Sequence, residues 1–354
     1  MGMENAHTLD ELRVMQAYSL DIKFGLTFNR IRGWIAQHPS FVSFSGGMDS
    51  SVLLHIARKV DPHIPAVFVN TRTEHITLRA VVKSTDNVIT IAPDINFAEA
   101  VEQCGWCVPY KEVAARIYEA RKGQLSGIQA MAGLDGSNRP NEYRTKKYVP
   151  YAYLLDAPFM ISDLCCSRLK KDPIVAFERE NYMTSIVGTL AEDSANRRAA
   201  WLKNGCNAWN AKRPKSQPLS FWTRQDILQY TLQNNLPVAS IYGKIVKRDG
   251  RFQTTGVDHT GCVCCPVGAK RYGKTQLSKF EMLARDEPMY HTGLMRSRIG
   301  LREALLWISA PLGCTACGGR CRCGADPNAP HWKEDCAERP IEGQEVMRGW
   351  QTHH

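Results

Sequence analysis

The residues best suited to chemistry form a short polar loop, which reads Ser-Gly-Gly-Met-Asp-Ser-Ser at residues 45–51. It lies between an apolar, strand-like run at 41–44 and a stretch of helical pattern at 51–59. Adjacent glycines let a backbone turn sharply and approach a ligand closely. Amides of such a loop and of the following helix point to one spot, which favours phosphate. The string therefore predicts a phosphate-binding loop, although Ser and Asp after a Gly turn are also common helix N-caps.

Asp49 is the unexpected residue of this loop, because a carboxylate repels phosphate. We expect it to hold Mg²⁺ or to orient the loop. The loop differs from the Walker pattern Gly-x-x-x-x-Gly-Lys-Ser/Thr, which the sequence lacks. The expected nucleotide ligands in the loop are Ser45, Gly46, Gly47, Asp49, Ser50 and Ser51.

The sequence contains 13 cysteines, an odd number that a framework of disulfides explains poorly. Most of them lie in clusters, at Cys165, Cys166, Cys262, Cys264, Cys265, Cys314, Cys317, Cys321, Cys323 and Cys336. Clustered thiols at such spacing indicate metal or iron–sulfur chemistry. Four thiolates suit a [4Fe–4S] cluster, and they suit zinc as well. Buried free cysteines that act as small hydrophobic side chains are the third interpretation.

The last cluster lies in a tail that is rich in Pro, Gly and Cys. Its candidate ligands are Cys314, Cys317, Cys321, Cys323 and Cys336, with His331 nearby. This set is sufficient for one Zn²⁺ site or for a second iron–sulfur cluster. Redox thiols that pass sulfur or electrons, or an irregular end, are the alternatives.

The composition restricts the class of protein. The formal net charge of +10 favours polyanionic partners such as nucleotides, sulfate esters or nucleic acid, or it reflects a generally basic surface. With 44% hydrophobic and 23% charged residues, the chain resembles a globular rather than a disordered protein. No apolar run reaches membrane-spanning length, and residues 1–7 lack the regions of a secretory signal. We therefore expect a cytoplasmic protein without a membrane partner.

Strand and helix patterns alternate around the loop. Strand patterns at 41–44, 66–69, 88–91 and 184–187 are separated by helical stretches, which predicts an α/β fold with a parallel sheet. The region 122–144 is rich in Gly, Asn and Arg and predicts a mobile loop or an insertion near the site. The expected division is a helical N-terminal segment at 1–37, a nucleotide-binding domain at 38–270, a helical extension at 271–310 and a small Cys-rich module at 311–354.

The loop string resembles the PP-motif of the adenine nucleotide α-hydrolase superfamily. This superfamily includes ATP pyrophosphatases, tRNA thiolation enzymes, and reductases of phosphoadenosine phosphosulfate (PAPS) or adenosine phosphosulfate (APS). In its members the loop holds the phosphates of ATP, or the sulfate or phosphate end of APS or PAPS. The resemblance covers about residues 35–270. It implies that the ends of the first two strands line the adenosine pocket, at Ser43, Phe44, Asn70 and Thr71.

Residues 165–173 read Cys-Cys-Ser-Arg-Leu-Lys-Lys-Asp-Pro and are similar to the Cys-Cys-x-x-Arg-Lys-x-x-Pro motif of iron–sulfur APS reductases. Lys170 matches that motif, whereas Leu169 replaces its Arg. The resemblance implies that a [4Fe–4S] cluster is held by Cys165, Cys166, Cys262 and Cys265. Nearby cations such as Lys170 would offset its negative charge. Cys206 and Cys264 are spare thiols, each a substitute ligand or a redox thiol.

Residues 188–198 are similar to the segment that grips the substrate in the reductases. Gly188, Ser194 and Arg197 match that segment. The resemblance implies that Arg197 and Arg198 clamp a phosphate, as arginine pairs do well. A solvated helix start is the alternative.

Two features depart from assimilatory reductases. The Glu-Cys-Gly-Ile/Leu-His segment, whose Cys attacks the sulfonucleotide in that family, does not occur here. The loop also keeps the second Gly and the Ser that reductases tend to lose. Both departures favour ATP as the substrate, cleaved between its α and β phosphates with release of pyrophosphate and with help from Mg²⁺. The expected catalytic residues are Asp49, Lys170, Arg197 and Cys264.

Sulfur transfer onto an acceptor is the reaction that we expect this cleavage to drive. Candidate acceptors are tRNA and DNA, since the iron–sulfur protein of DNA phosphorothioation has a similar loop and cysteines. A cysteine desulfurase could supply the sulfur. The first alternative is a reductase that uses a thiol reductant to release sulfite from APS or PAPS. The second is a non-catalytic module that binds nucleotide or nucleic acid. The sequence does not indicate an oligomeric state.

Overall fold

A computed structural model describes residues 7–209, 211–267, 279–297, 299–301 and 304–305. The predicted Cys-rich module lies outside these residues, together with its candidate ligands Cys314, Cys317, Cys321, Cys323 and Cys336. In chain order the helices of the described part are α1 (Leu9–Ala17), α2 (Leu20–Ile35), α3 (Met48–Val60), α4 (Ile76–Lys83), α5 (Phe97–Cys104), α6 (Lys111–Arg121), α7 (Leu125–Met131), α8 (Glu142–Lys147), α9 (Asp172–Asn181), α10 (Ala195–Asn204), α11 (Arg224–Gln233), α12 (Lys279–Asp286) and α13 (Pro288–Arg296).

The strands are few and short. They are β1 (Ser40–Ser43), β2 (Ala66–Val69), β3 (Val88–Ile91), β4 (Thr184–Val187), β5 (Asn207–Ala208), β6 (Lys215–Ser216), β7 (Ile245–Arg248) and β8 (Arg251–Thr254). The first six form one sheet in the order β3-β2-β1-β4-β6-β5, and β7 pairs with β8. Within the six-stranded sheet all neighbours are parallel except β5 and β6. The expected α/β fold with a parallel sheet and N-terminal helices is therefore confirmed.

Contacts divide the described chain into two compact units. The first consists of described residues within Met1–Asp94 and Lys170–Gly261, and the second of those within Ile95–Leu169 and Cys262–His354. The first unit contains both sheets and α1 to α4 and α9 to α11. The second contains α5 to α8, α12 and α13.

The strand order of the first unit reverses beside β1. From β1 the chain steps outward to β2 and β3, and it later places β4 on the opposite side of β1. The pairs Ser43↔Val67 and Ser43↔Val187 bring the carboxyl ends of β2 and β4 to the end of β1. Ligands of open α/β sheets bind at such a reversal, outside the carboxyl ends of the strands. The phosphate loop follows directly from β1 at this point.

The core of the first unit forms where α2 and α11 pack against α3. Its fully buried side chains include Ile31, Trp34, Val52, Leu53, Ile56, Phe221 and Trp222. Burying one such side chain stabilises the fold by about 1.5–3 kcal/mol. Lys23 is buried as well, because its ammonium lies 2.5 Å from a carboxylate oxygen of Asp226. The segment around Trp222 therefore serves packing.

The second unit is largely helical. The region 122–144, expected to be a loop, contains α7 and the start of α8. Of the two predictions for this region, a mobile loop or an insertion, the mobile loop is wrong, because Ala130 and Met131 of α7 join Ile117 of α6 in one buried apolar cluster, which favours helix despite the glycines. Among the described helices of the chain, none is long and apolar enough to cross a membrane.

Candidate nucleotide site and thiol set

The phosphate loop, residues 45–51, turns sharply after β1 and continues into the first turn of α3. Gly47 is the N-cap residue of α3, which begins at Met48. Gly46 has φ +72°, and a Cβ added there would lie 2.6 Å from the carbonyl oxygen of Leu78. Both the backbone conformation and the space therefore demand glycine at Gly46. Because neither Gly46 nor Gly47 carries a side chain, the backbone amides at the start of α3 are not covered by side chains of these two residues.

Two of the loop hydroxyls brace the turn. The Ser50 hydroxyl donates to the carbonyl of Gly47 at 2.9 Å and accepts from the amide of Ser45 at 3.2 Å. The Ser45 hydroxyl lies 3.2 Å from that of Ser50. The Ser51 hydroxyl is buried and has no hydrogen-bond partner among the described residues. Ser51 thus carries a buried loop hydroxyl whose hydrogen-bonding capacity is unused among the described residues, whereas Ser50 fixes the loop itself.

Asp49 is held by an arginine from α11. The Nη1 of Arg224 donates to Oδ1 of Asp49 at 3.1 Å, and its Nη2 donates to the carbonyl of Asp258 at 2.6 Å. Burial raises the pKa of the Asp49 carboxyl, and the positive charge of Arg224 opposes this effect. The Nε of Arg224 is buried without a hydrogen-bond partner among the described residues. Arg224 therefore retains a donor that a buried anion could satisfy.

Arg224 is the functional candidate that sequence reasoning missed. It is the first residue of α11, directly after the N-cap Thr223, whose hydroxyl accepts from the amide of Asp226. A charged residue at a helix start is ordinarily solvated. The local sequence therefore gives no signal that Arg224 reaches Asp49, 175 positions earlier in the chain.

Arg197 lies near the same carboxylate, whose pKa its charge lowers slightly. It pairs with Asp193 one helical turn earlier, and its amide donates to the Ser194 hydroxyl that caps α10. Its side chain is 44% exposed. Arg197 therefore lies at a solvated helix start, and it also brings a positive charge near the loop.

The expected strand-end residues lie at the carboxyl edge of the sheet. Ser43 ends β1, and Asn70 and Thr71 follow β2 directly. The Thr71 hydroxyl donates to Glu74 at 2.7 Å, and Lys170 lies 3.3 Å from the same carboxylate oxygen. Lys170 therefore belongs to the polar group at the end of β2.

Gly188 supports the loop from the neighbouring strand. It follows β4, and a Cβ added there would lie 3.0 Å from the carbonyl oxygen of Asp49. A side chain at this position would press on the first turn of α3. Gly188 therefore acts by allowing close approach of two backbones.

Four of the cysteines of the second unit lie near one another. The thiols of Cys165 and Cys166 are hydrogen-bonded to each other, which is the first cause of the raised pKa of Cys165, ahead of burial. Burial, together with the nearby Cys265 and Cys166, also raises the pKa of the Cys107 thiol. We call Cys107, Cys165, Cys166 and Cys265 the thiol set. Sequence reasoning missed Cys107, although Cys104-Gly-Trp-Cys107 is itself a Cys-x-x-Cys pair.

Backbone pairing explains why Cys107 reaches the double cysteine. Trp106 forms a parallel bridge to Ile161, in which the Trp106 amide donates to Met160 at 2.8 Å and the Ser162 amide donates to Trp106 at 3.1 Å. This bridge places the segment of Cys107 beside the one that leads to Cys165. Cys107 and Cys165 are both buried, at 2% and 8% exposure.

A lysine accompanies the thiol set. The ammonium of Lys111 is hydrogen-bonded to the Cys166 thiol. Desolvation alone would lower the pKa of Lys111, but Cys166, Cys107 and Cys265 raise it. Lys111 is an exposed residue, and its ammonium contacts the Cys166 thiol.

The other expected thiols have different surroundings. The Cys262 carbonyl accepts from the Cys265 amide at 3.1 Å, and the Cys262 side chain is partly buried. Cys264 is fully buried in the apolar cluster, which favours packing, since reactive cysteines are partly exposed. Cys206 lies in the first unit, where the Ser220 hydroxyl is 3.5 Å from its sulfur.

To hold a metal ion, the ligand atoms must be arranged around one point, which is a stricter requirement than thiols lying near one another. In the part of the chain that the structure describes, no three His, Cys, Asp or Glu side chains are arranged closely enough to hold a metal ion. Thiols from three segments nevertheless lie near one another and near the ammonium of Lys111, and thiols are the donor type that an iron–sulfur group requires.

Comparison with known proteins identifies the family of the chain. The family model of the phosphoadenosine phosphosulfate reductase domain matches residues 39–267, well over half of the chain. The chain belongs to this family. The resemblance inferred from the loop is thus confirmed, and with it membership of a superfamily of nucleotide-binding enzymes.

Individual relatives are more distant. An adenosine 5'-phosphosulfate reductase from Deinococcus radiodurans is 28% identical over 129 residues, which cover 35% of this chain and 43% of the relative. The chain therefore matches less than half the length of that curated relative.

Two solved structures are similar at low identity. A PAPS reductase from Candida auris in a phosphate complex has a TM-score of 0.35 at 12% identity, covering 70% of this chain and 99% of that one. An FMN adenylyltransferase from Candida glabrata has a TM-score of 0.34 at 14% identity, covering 65% and 63%.

Proposed function

We propose that this family member binds ATP at the loop 45–51 and cleaves it between the α and β phosphates, driving sulfur transfer onto an acceptor. The observation that carries the proposal is the complete loop at the carboxyl end of β1. Its Ser51 hydroxyl and the Nε of Arg224 are buried donors without partners among the described residues. Each hydrogen bond from such a donor to a charged ligand contributes about 1.5–3 kcal/mol.

The proposed reaction has two steps. An acceptor oxygen attacks the α-phosphorus of ATP, the bond from that phosphorus to the β-bridging oxygen breaks, and pyrophosphate leaves with the electron pair. A sulfur nucleophile then displaces the adenylated oxygen, which leaves with AMP. Arg224 and Arg197 offset the charge that builds on the phosphates, which is the usual use of arginine in phosphoryl chemistry. Mg²⁺ on the polyphosphate would serve the same end.

Asp49 is proposed to orient Arg224. The two possibilities left by the sequence are a Mg²⁺ ligand and a residue that orients the loop. The 3.1 Å contact with Nη1 of Arg224 argues against the first, because an arginine already neutralises this carboxylate, and it suggests a positioning role towards Arg224. Lys170, held by Glu74, is proposed to act at the end of β2, and Gly188 to maintain the spacing between β4 and α3. Ser43, Asn70 and Thr71 are proposed to contact the nucleoside.

The cysteines of the second unit are proposed to bind a [4Fe–4S] cluster. The motif assigns the ligands Cys165, Cys166, Cys262 and Cys265, and the thiol set adds Cys107 as a fifth sulfur. Such a cluster supplies a site that can carry sulfur or electrons. Lys111 would balance the negative charge of such a cluster through its contact with Cys166. Zn²⁺ is the competing occupant, because it prefers the same sulfur ligands.

Reduction of APS or PAPS is the second candidate, favoured by the family match and by the curated relative. A cysteine thiolate would attack the sulfur of the sulfonucleotide and release AMP or its 3′-phosphate. A second thiol would then attack the resulting S-sulfonate, releasing sulfite and leaving a disulfide. In the described part, Cys264 is too buried to start this reaction. The tail cysteines lie outside the described residues.

Product analysis separates the candidates. Protein purified without oxygen is incubated with Mg-ATP, with APS and with PAPS, each with and without a dithiol reductant. Pyrophosphate from ATP supports the first proposal, whereas sulfite from APS or PAPS contradicts it and supports the second. Tight nucleotide binding without either product would indicate a non-catalytic module. Iron, acid-labile sulfide and zinc are measured on the same samples, and protein without iron contradicts the cluster.

A further inference from the structure

A pocket of about 440 Å³ opens in the second unit, beside the thiol set. It is lined chiefly by Tyr110, Lys111, Glu112, Lys146, Lys147 and Tyr151. Its volume falls in the range of about 300–1,000 Å³ that is typical of small-ligand sites. None of these residues has a role in the proposed nucleotide chemistry, which uses the loop of the first unit.

The pocket offers aromatic surface for stacking. The Tyr110 side chain is 46% exposed, and its ring centroid lies 6.0 Å from that of Tyr151 in an edge-to-face arrangement. Tyr143, which is 61% exposed, continues this surface along α8, where the Lys147 ammonium lies 5.0 Å from its ring centroid. Exposed aromatic rings interleaved with cations are typical of surfaces that bind nucleobases.

The charges of the pocket favour an anion. Its lining contains three ammonium groups and the single carboxylate of Glu112, which pairs with Lys147. Lys146 pairs with Glu142 at 2.5 Å, but both side chains are more than three-quarters exposed. Exposed ion pairs contribute only about 0–1 kcal/mol, so a phosphate can replace the glutamate partner at little cost. Arg144 of the same helix is instead partly buried and donates to the carbonyl of Leu134 at 2.6 Å.

Lys111 connects the pocket to sulfur chemistry. It lines the pocket, and its ammonium is hydrogen-bonded to the Cys166 thiol. A ligand in the pocket therefore lies one side chain away from the double cysteine.

We infer that this pocket binds one nucleotide unit of a single-stranded nucleic acid and presents its base to the thiol set. The inference rests on the proposed function, for which it names the acceptor. A base packs on Tyr110 and Tyr151 while flanking phosphates contact Lys146 and Lys147. The strand must be single, because base pairing and stacking in a duplex cover the faces that the tyrosines would need. Tyr143 and Lys146, which are both exposed on α8, extend the surface beyond one nucleotide, which favours a polymer over a free nucleotide.

Binding of labelled oligonucleotides to the full chain tests this inference. Fluorescence anisotropy is recorded with a single-stranded RNA, the same sequence as single-stranded DNA, and the corresponding duplexes, over a range of salt concentrations. We expect one of the single strands to bind at least tenfold more tightly than its duplex. Tyr110→Ala should weaken binding about fivefold or more, the usual effect of losing one stacking ring, and Tyr110→Phe should restore it.

The lysines provide a second measurement with a matched control. The double variant Lys146→Gln, Lys147→Gln should lower the salt dependence by about 0.7 for each lost phosphate contact. Lys247→Gln is the control, because Lys247 is also exposed and lies 5.5 Å from the ring centroid of Phe252, but in the first unit. Equal weakening by Lys247→Gln, or equal binding of duplex, overturns the inference by indicating a generally basic surface.

The same samples distinguish this inference from the proposed function. Each variant is also titrated with Mg-ATP and its melting temperature is recorded. Binding of a single strand that depends on Tyr110, in protein that releases no pyrophosphate from ATP, supports the pocket and contradicts the proposed ATP reaction. Normal ATP cleavage without any single-strand binding contradicts the pocket alone.

Discussion

The phosphate loop and the thiol set are built in opposite ways. The loop is seven consecutive residues, of which the first three follow β1 and the last four form the first turn of α3, and parallel pairing on both sides fixes the strand that precedes it. The thiol set draws on three separate segments, around Cys107, Cys165 and Cys265, and the bridge of Trp106 to Ile161 joins the first two. Its surroundings are a helical unit with a buried apolar cluster rather than a sheet.

This difference determines which changes each region tolerates. The loop depends on backbone conformation and on space, so that one added methyl group can destroy it. The thiol set depends on side chains from distant positions, so that conservative changes of one sulfur should leave the fold intact and alter only what the sulfur binds. The following experiments test this contrast, beginning with the largest expected effect.

Gly46→Ala should abolish nucleotide binding. The new Cβ would lie 2.6 Å from the Leu78 carbonyl in a backbone with φ +72°. Losing two loop donors at about 1.5–3 kcal/mol each weakens affinity by about 100-fold or more. Isothermal titration with Mg-ATP and with PAPS measures the effect. Gly123→Ala is the control, since Gly123 also has φ +72° but has no atom within 4 Å of the added Cβ. Normal nucleotide binding by folded Gly46→Ala protein would contradict a role of the loop in the nucleotide site.

Cys165→Ser and Cys166→Ser should each remove most of the bound iron or zinc without unfolding the chain. A serine oxygen fits the same space but is a poor ligand for a cluster that prefers thiolate. Metal analysis and circular dichroism provide the two measurements. Cys206→Ser, at a buried cysteine of the first unit, is the control and should keep its metal. Equal metal content in all three variants would contradict a metal role for the double cysteine.

Cys107→Ser sharpens the same comparison. Because Cys107 lies near Cys166 and Cys265, we expect its loss to lower metal content as well. Cys262→Ser is the matched variant at the position that the motif assigns. Full metal content in Cys107→Ser protein, with loss in Cys262→Ser, would show that the motif alone defines the ligands.

Arg224→Gln should weaken nucleotide binding by about tenfold, since one charge-assisted hydrogen bond to an anion contributes about 1.5–3 kcal/mol. The variant also leaves the buried Asp49 without its cation. Arg213→Gln is a matched control, because Arg213 pairs with Glu178 at 2.5 Å in the same unit, away from the loop. Similar losses in the two variants would mean that Arg224 acts only on stability.

Acid should stabilise the native protein relative to the Asp49→Asn variant. Burial raises the pKa of Asp49 in the folded state above that of the unfolded chain, so the folded state binds this proton more tightly. Stability from this group therefore increases as pH falls through the raised pKa towards the unfolded value. The melting temperatures of the native protein and of the Asp49→Asn variant should converge or cross between pH 7 and pH 4. The expected shift is about 2–4 °C for each kcal/mol of stability that Asp49 contributes. A constant difference would contradict the raised pKa.

Much of the fold follows from local patterns. The expected strands at 66–69, 88–91 and 184–187 coincide with β2, β3 and β4, because short apolar runs between turns have few other solutions. The two-residue strands β5 and β6 are too short to leave a pattern. α7 was overlooked because its glycine suggests a loop until its packing on α6 is known.

The sequence by itself determined the parallel sheet, the glycine turn at residues 45–47 and the family. All three depend on residues that are close along the chain, where glycine conformation, strand periodicity and helix capping act locally. Only the tertiary structure decided that Arg224 holds Asp49, that Cys107 joins the double cysteine and that Lys111 lies between a pocket and a thiol. These contacts join residues that are about 50 to 175 positions apart, and no local propensity encodes them. They arise when the sheet and the helices bury their apolar faces and thereby fix which polar side chains meet.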